Sequence, residues 1–192
     1  STVDSTFRMM APIAEAKGLQ CALHITPDTP FALIGDEQHI RQVLINLIGN
    51  AIKFTKEGHV EVNVSTLGIN EDNVNLRIEI KDTGIGITQE SQQQIFEKFT
   101  QANSSITPSY GGTGLGTSIA LNLVELMGGK LGVTSEIEIG STFWFELTLE
   151  RQPLIIEKNT RNISQSDPCI LLVATKTARH ALLAKYLTDW NF

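Results

Sequence analysis

Cysteine is scarce in this chain: Cys21 and Cys169 are the two among 192 residues, each inside an apolar stretch. That excludes a disulfide-stapled scaffold and a cysteine metal cluster, so both read as small core residues in a reducing compartment. Long hydrophobic runs are missing as well. None approaches the ~20 residues of a membrane-spanning helix, and no stretch has the layout of a secretion signal. A cytoplasmic location is expected, with any membrane attachment supplied by other parts of a larger parent protein. Positive charge is in deficit, with 15 Lys and Arg against 21 Asp and Glu and a net charge of −6, which disfavours nucleic acid as a partner. Glycine-rich stretches occur, but no Lys-Ser or Lys-Thr pair directly follows their glycines, which excludes a P-loop.

What is present begins with a helix. Between Glu37 and Phe54, apolar residues recur at Ile40, Val43, Leu44, Leu47, Ile48, Ala51 and Ile52, the three-and-four spacing of one buried stripe. Asp36 precedes the run as an N-cap. At about 100° per residue, His39, Gln42, Asn46, Asn50 and Lys53 take the opposite face. A helix docked by one side usually offers Lys and Glu to water. This one offers two carboxamides a turn apart and a lysine, and a solvated polar face is the plain alternative. An amide oxygen is a neutral, hard ligand suited to Mg²⁺, which draws its remaining oxygens from water and phosphate. Lys53 adds a point charge for those phosphates. Asn46 cannot serve as a general base where a glutamate could, so a triphosphate held here suits transfer better than hydrolysis.

In NVNLRIEIKDTGIGI, residues 73–87, Val74, Leu76, Ile78 and Ile80 alternate with polar residues, a half-buried strand ending at Asp82. Gly84 and Gly86 then permit a tight turn. Such an aspartate can accept a hydrogen bond from an adenine amino group; a turn or cap aspartate is the bland use of the same residue. From residue 96 a polar stretch of about 20 residues, rich in Ser, Thr and Gly, runs without periodicity, and loops of that length are usually functional flaps. It closes on Gly111, Gly112, Gly114 and Gly116, and a helix follows with Leu115, Ile119, Leu123, Leu126 and Met127 as its predicted apolar face. Glycines leading into a helix N-terminus offer backbone N–H groups to an anion. They follow a polar loop and not a strand, which excludes a dinucleotide fold.

With these residues in view, the chain resembles the ATP-binding catalytic domain of bacterial sensor histidine kinases, in the group that includes gyrase, Hsp90 and MutL. RQVLINLIGNAIKFT resembles the N box, DTGIGI and GGTGLGTSIA the two glycine boxes, and IFEKF the F box; FEKFTQANSS is most like the hybrid kinases. The resemblance spans roughly residues 1–150. It implies a Bergerat fold: an α+β, two-layer sandwich whose mixed, mostly antiparallel sheet of about five strands is covered by three helices, with a lid over ATP. Asn50 would coordinate Mg²⁺, with Asn46 and Lys53 near the phosphates. Asp82 would bind the adenine amino group, with Gly84, Gly86 and Ile87 shaping the pocket. Phe96 and Phe99 would anchor the lid, Lys98 would remain with Lys53 as a cation for the nucleotide, and Gly112, Thr113, Gly114, Leu115, Gly116 and Thr117 would bring the lid onto the triphosphate. ATPases of the group carry glutamate where Asn46 stands. Hybrid relatives carry Arg and Lys where this chain has Pro108 and Ser109; losing one charge-assisted contact costs about 1.5–3 kcal/mol, so nucleotide binding is expected to be weaker. Little consequence is expected from Thr117, where the family often has leucine.

The other strands are predicted at GLQCALHIT, HVEVNVSTL, KLGVTSEI and STFWFELTLE, and a short helix over residues 5–17 is kinked at Pro12 or starts there. Residues 151–167 read as a linker. Residues 168–192 are similar to the opening of a receiver domain, truncated, with Ala174 and Thr175 in place of its paired acids. None of His24, His39, His59 and His180 has the setting of a phosphoacceptor on a helical hairpin. The resemblance therefore implies a catalytic fragment, monomeric or weakly dimeric, that does not phosphorylate itself. Its partners would be a dimerisation domain bearing the acceptor histidine and a receiver domain. An ATP-driven clamp and a nucleotide-poor pseudokinase used for partner contacts remain as alternatives.

Overall fold

A computed structural model describes residues 1–96 and 115–152. In chain order the elements are α1 (Thr2–Ala16), β1 (Gln20–Ile25), β2 (Leu33–Ile34), α2 (Glu37–Phe54), β3 (His59–Ile69), β4 (Asn73–Asp82), α3 (Gln89–Gln94), α4 (Gly116–Leu126), β5 (Lys130–Glu136) and β6 (Gly140–Arg151). Six strands form one sheet in the order β1-β3-β4-β6-β2, with β5 also paired to β6. The β1–β3 pair is parallel and the other pairs are antiparallel. This is the two-layer, mostly antiparallel architecture that the sequence implies. The sixth strand, β2, has two residues and is too short to leave a periodic signature. The short helix α3 was likewise not anticipated.

Alternation in the strands lines one face of the sheet with the core. Ile80 stands between Val62 and Phe143, and Ile78 between Val64 and Phe145, all buried. Against that face lies α2, burying Val43, Leu44, Leu47, Ile48, Ala51 and Ile52 as its stripe predicts. Removing those side chains from water contributes on the order of 10 kcal/mol before entropy is subtracted. Asp36 caps the helix through a 2.9 Å bond from the His39 N–H. At the other end the Lys17 ammonium donates to the carbonyls of Ile52 (2.6 Å), Lys53 and Thr55 (both 3.4 Å), a cation at the negative end of the helix dipole.

Two sequence expectations are corrected. Helix α1 does not start at Pro12 but begins at Thr2, with Ser1 as N-cap, and continues past the proline to Ala16. Pro12 lies on the exposed side, where water can serve the carbonyl that the ring leaves unpaired. In α4 the buried side chains are Ser118, Ala120 and Val124, while Ile119 and Leu126 of the predicted face are exposed. Small residues on that side let α4 come close to α2. On the sheet's outer face, Arg77 donates to Glu79 (2.8 Å) and Glu146 (2.7 Å) and lies 4.2 Å over the Trp144 ring.

Candidate functional site

The carboxamide side of α2 is neither core nor an ordinary solvated surface. Gln42 donates from Nε2 to Oδ1 of Asn46 at 3.1 Å. The other end of that carboxamide, Nδ2, is buried and has no hydrogen-bond partner among the described residues. An unpaired buried donor costs about 1–3 kcal/mol, a cost that an incoming acceptor would remove. One turn on, Asn50 faces the start of α4: a Cβ built on Gly116 would lie 3.6 Å from its Nδ2 and 3.9 Å from its Oδ1. Helices α1, α2 and α3 are capped by the side chains of Ser1, Asp36 and Thr88, whereas Leu115 at the N-cap of α4 makes no side-chain cap. The first-turn amides of α4 therefore carry the positive end of its dipole beside Asn50, with no side-chain cap among the described residues. Lys53 ends the polar face, its ammonium 4.7 Å from the Phe54 ring centroid.

Asp82 ends β4 and is 6% exposed. Burial pushes its carboxyl above the ordinary aspartate value, opposed by hydrogen bonds from the backbone N–H groups of Gly84 and Ser141. Both bonds, 2.8 and 3.3 Å, fall on Oδ1. A carboxylate so placed has its second oxygen for a donor from elsewhere. The following turn is wedged between two elements. A Cβ at Gly84 would meet the Phe54 carbonyl at 2.6 Å, and one at Gly86, where φ is +71°, would meet the Glu136 carbonyl at 2.0 Å. No side chain fits either place, so both glycines of DTGIGI are required by the packing. Ile87, half-buried against the core, donates its N–H to Ser135 Oγ at 2.8 Å. It also borders an open depression of about 500 Å³ formed with Thr88, Gln92 and Ile137, on the β5 side of the turn.

The fold thus sets Gly116 against Asn50 at the α2–α4 contact, with Asn46 and Lys53 on the same polar face of α2, and seats the turn after Asp82 between the Phe54 carbonyl at Gly84 and the Glu136 carbonyl at Gly86. Phe96 packs against the core. Thr117 is not idle: its hydroxyl donates to the Ile95 carbonyl, tying the start of α4 to the end of α3. Lys98, Phe99, Gly112, Thr113 and Gly114 lie outside the described residues, as do Pro108, Ser109, Cys169, His180 and the linker and receiver-like segment beyond Gln152. Sequence reasoning missed Lys17, Ser141 and the Phe54 carbonyl. Two of these act through backbone groups and the third reaches across 35 residues, so no motif could have flagged them. Among the described residues no group of three His, Cys, Asp or Glu gathers to hold a metal, and no helix is long and apolar enough to cross a membrane.

Residues 35–151 match the family described as histidine kinase-, DNA gyrase B- and HSP90-like ATPases. The signal transduction histidine-protein kinase BarA of Escherichia coli is 41% identical over 156 residues, 81% of this chain and 17% of that protein. The sensory/regulatory protein RpfC of Xanthomonas campestris pv. campestris is 44% identical over 148 residues, 77% of this chain and 20% of that protein. The chain therefore spans about a fifth of the length of these relatives. A crystal structure of full-length ShkA in complex with AMPPNP superposes with a TM-score of 0.68 at 33% identity, covering 79% of this chain and 30% of that one. The mycobacterial sensor histidine kinase MprB, at 22% identity and a TM-score of 0.61 over 79% of this chain and 94% of that one, shares the fold.

Proposed function

The chain belongs to the histidine kinase-, DNA gyrase B- and HSP90-like ATPase family, and from that premise we propose that it is the ATP-binding catalytic domain of a hybrid sensor histidine kinase. In this reading it binds Mg-ATP and delivers the γ-phosphate to a histidine on a separate dimerisation domain. The observation that carries the reading is the buried, unpartnered Nδ2 of Asn46 beside Asn50 and the uncapped N-terminus of α4. A buried donor, a neutral hard oxygen and helix amides without a side-chain cap make a donor set for a polyphosphate and its magnesium. The residues present fit that group.

In the proposal, Asn50 holds the metal through its amide oxygen, and Lys53 with the first amides of α4 meets phosphate oxygens. Asp82 accepts from the adenine amino group, and Ile87 lines the base. The bound Mg-ATP supplies a phosphoryl group whose bond to the β-phosphate oxygen breaks as one forms to an imidazole nitrogen of the acceptor. The chain's own residues contribute position and charge. No carboxylate stands at Asn46 to activate water, which favours transfer over a hydrolytic clamp. Also proposed are the division into residues 1–150, 151–167 and 168–192, a receiver-like character for the last, and a cytoplasmic location.

Titration calorimetry of the chain with Mg-ADP and a non-hydrolysable ATP analogue tests the reading. Saturable heat is expected at micromolar to submillimolar nucleotide, and its absence at millimolar concentration would favour a pseudokinase. Label from γ-³²P ATP is expected on an added acceptor hairpin and not on this chain alone; label on the chain itself would contradict the assigned role.

A further inference from the structure

We infer that Gln42, which no motif assigns a role, is a positioning residue that sets the polarity of the Asn46 carboxamide. The inference rests on the nucleotide reading above and adds what position 46 presents to the ligand. A carboxamide is nearly symmetric in shape but opposite in chemistry at its two ends, an acceptor oxygen and a donor nitrogen. Whichever end a neighbour engages decides what the other end offers. One turn ahead on α2, the exposed Gln42 donates Nε2 to Asn46 Oδ1 at 3.1 Å. The oxygen is occupied from the solvent side, and the end left buried without a partner is the donor Nδ2.

Two carboxamides a turn apart are easily taken for a matched pair of metal ligands, and the geometry divides their work. Asn46 meets the nucleotide as a donor, toward an anionic or carbonyl-type oxygen. The amide oxygen for a cation comes from Asn50. Gln42 is exposed, outside the core, and acts through Asn46.

The experiment is a double-mutant cycle with NMR of the side-chain amides, using the whole chain and an Mg-bound, non-hydrolysable ATP analogue. Gln42→Met keeps length and shape, removes the donor and, at an exposed position, leaves the melting temperature unchanged. It is expected to weaken the analogue about three- to tenfold in the wild-type background and not at all in an Asn46→Ala background. The ¹H–¹⁵N pair of the Asn46 amide is expected to move on nucleotide addition and to move less in Gln42→Met. A silent Gln42→Met, two effects that simply multiply, or an Asn46 NH₂ pair indifferent to nucleotide would each overturn the inference while leaving the nucleotide reading intact. Failure of the wild-type chain to bind the analogue at all would sink both.

Discussion

The sheet's two faces treat polar groups in opposite ways. On the outer face Arg77 is spoken for three times over, by Glu79, Glu146 and the Trp144 ring. Among the helices the reverse holds: among the described residues Asn46 keeps a buried nitrogen unpaired and α4 has no side-chain cap, and Asp82 is buried at the expense of its ionisation. Polar groups that satisfy one another hold a fold together. Polar groups left wanting cost stability and are retained where a ligand completes them. Three substitutions press on that difference.

Asn50→Ala should give the largest effect. It is expected to weaken Mg-nucleotide binding about a hundredfold or more, as for loss of a cation's protein ligand, with little change in melting temperature. Binding curves with and without Mg²⁺ check it: the loss should shrink when the metal is withheld. Asp82→Asn should follow, with about a tenfold or greater loss for ATP and a smaller one for GTP; equal losses would contradict adenine recognition by this carboxylate. Its stability should move the other way. Because the folded-state value of Asp82 is raised, its contribution to stability is full below the ordinary aspartate range and is lost as pH rises through the raised value. Asp82→Asn lacks that loss, so at neutral pH it should melt no lower than wild type, with the difference fading on acidification. Arg77→Met should do least. It is expected to cost about 1 kcal/mol of stability in urea unfolding, its partners being partly exposed, and to leave nucleotide affinity untouched. A shift in affinity would mean that the two faces are coupled.

Much of this was legible in the residues. The span of α2, its cap and its buried stripe follow from periodicity and Asp36 because one helix writes its own pattern. The long strands alternate cleanly for the same reason. Helix α4 misled in part: Leu123 and Met127 of its predicted face pack against the core, but Ile119 and Leu126 are exposed while Ser118, Ala120 and Val124 are buried. Strand β2 exists through its pairing with Glu150 and Arg151, which local sequence does not encode. At the site, the motif side chains Asn46, Asn50 and Asp82 could be named from spacing. Gln42 was visible on the same face, but the groups around the site from elsewhere, Ser141, Lys17 and the Phe54 carbonyl, are known only once distant parts of the chain meet.

The parallel pairing of β1 with β3 bears on how the domain can be excised. A fragment trimmed to residues 35–151, where the family match falls, would retain each described side chain of the candidate site. Yet it would strip six paired residues from β3 and bare a hydrogen-bonding margin open to other chains. It would also leave the last carbonyls of α2 without the lysine that gathers them. Such a piece would hold every motif and still be prone to clump, so a workable expression boundary lies ahead of the first helix.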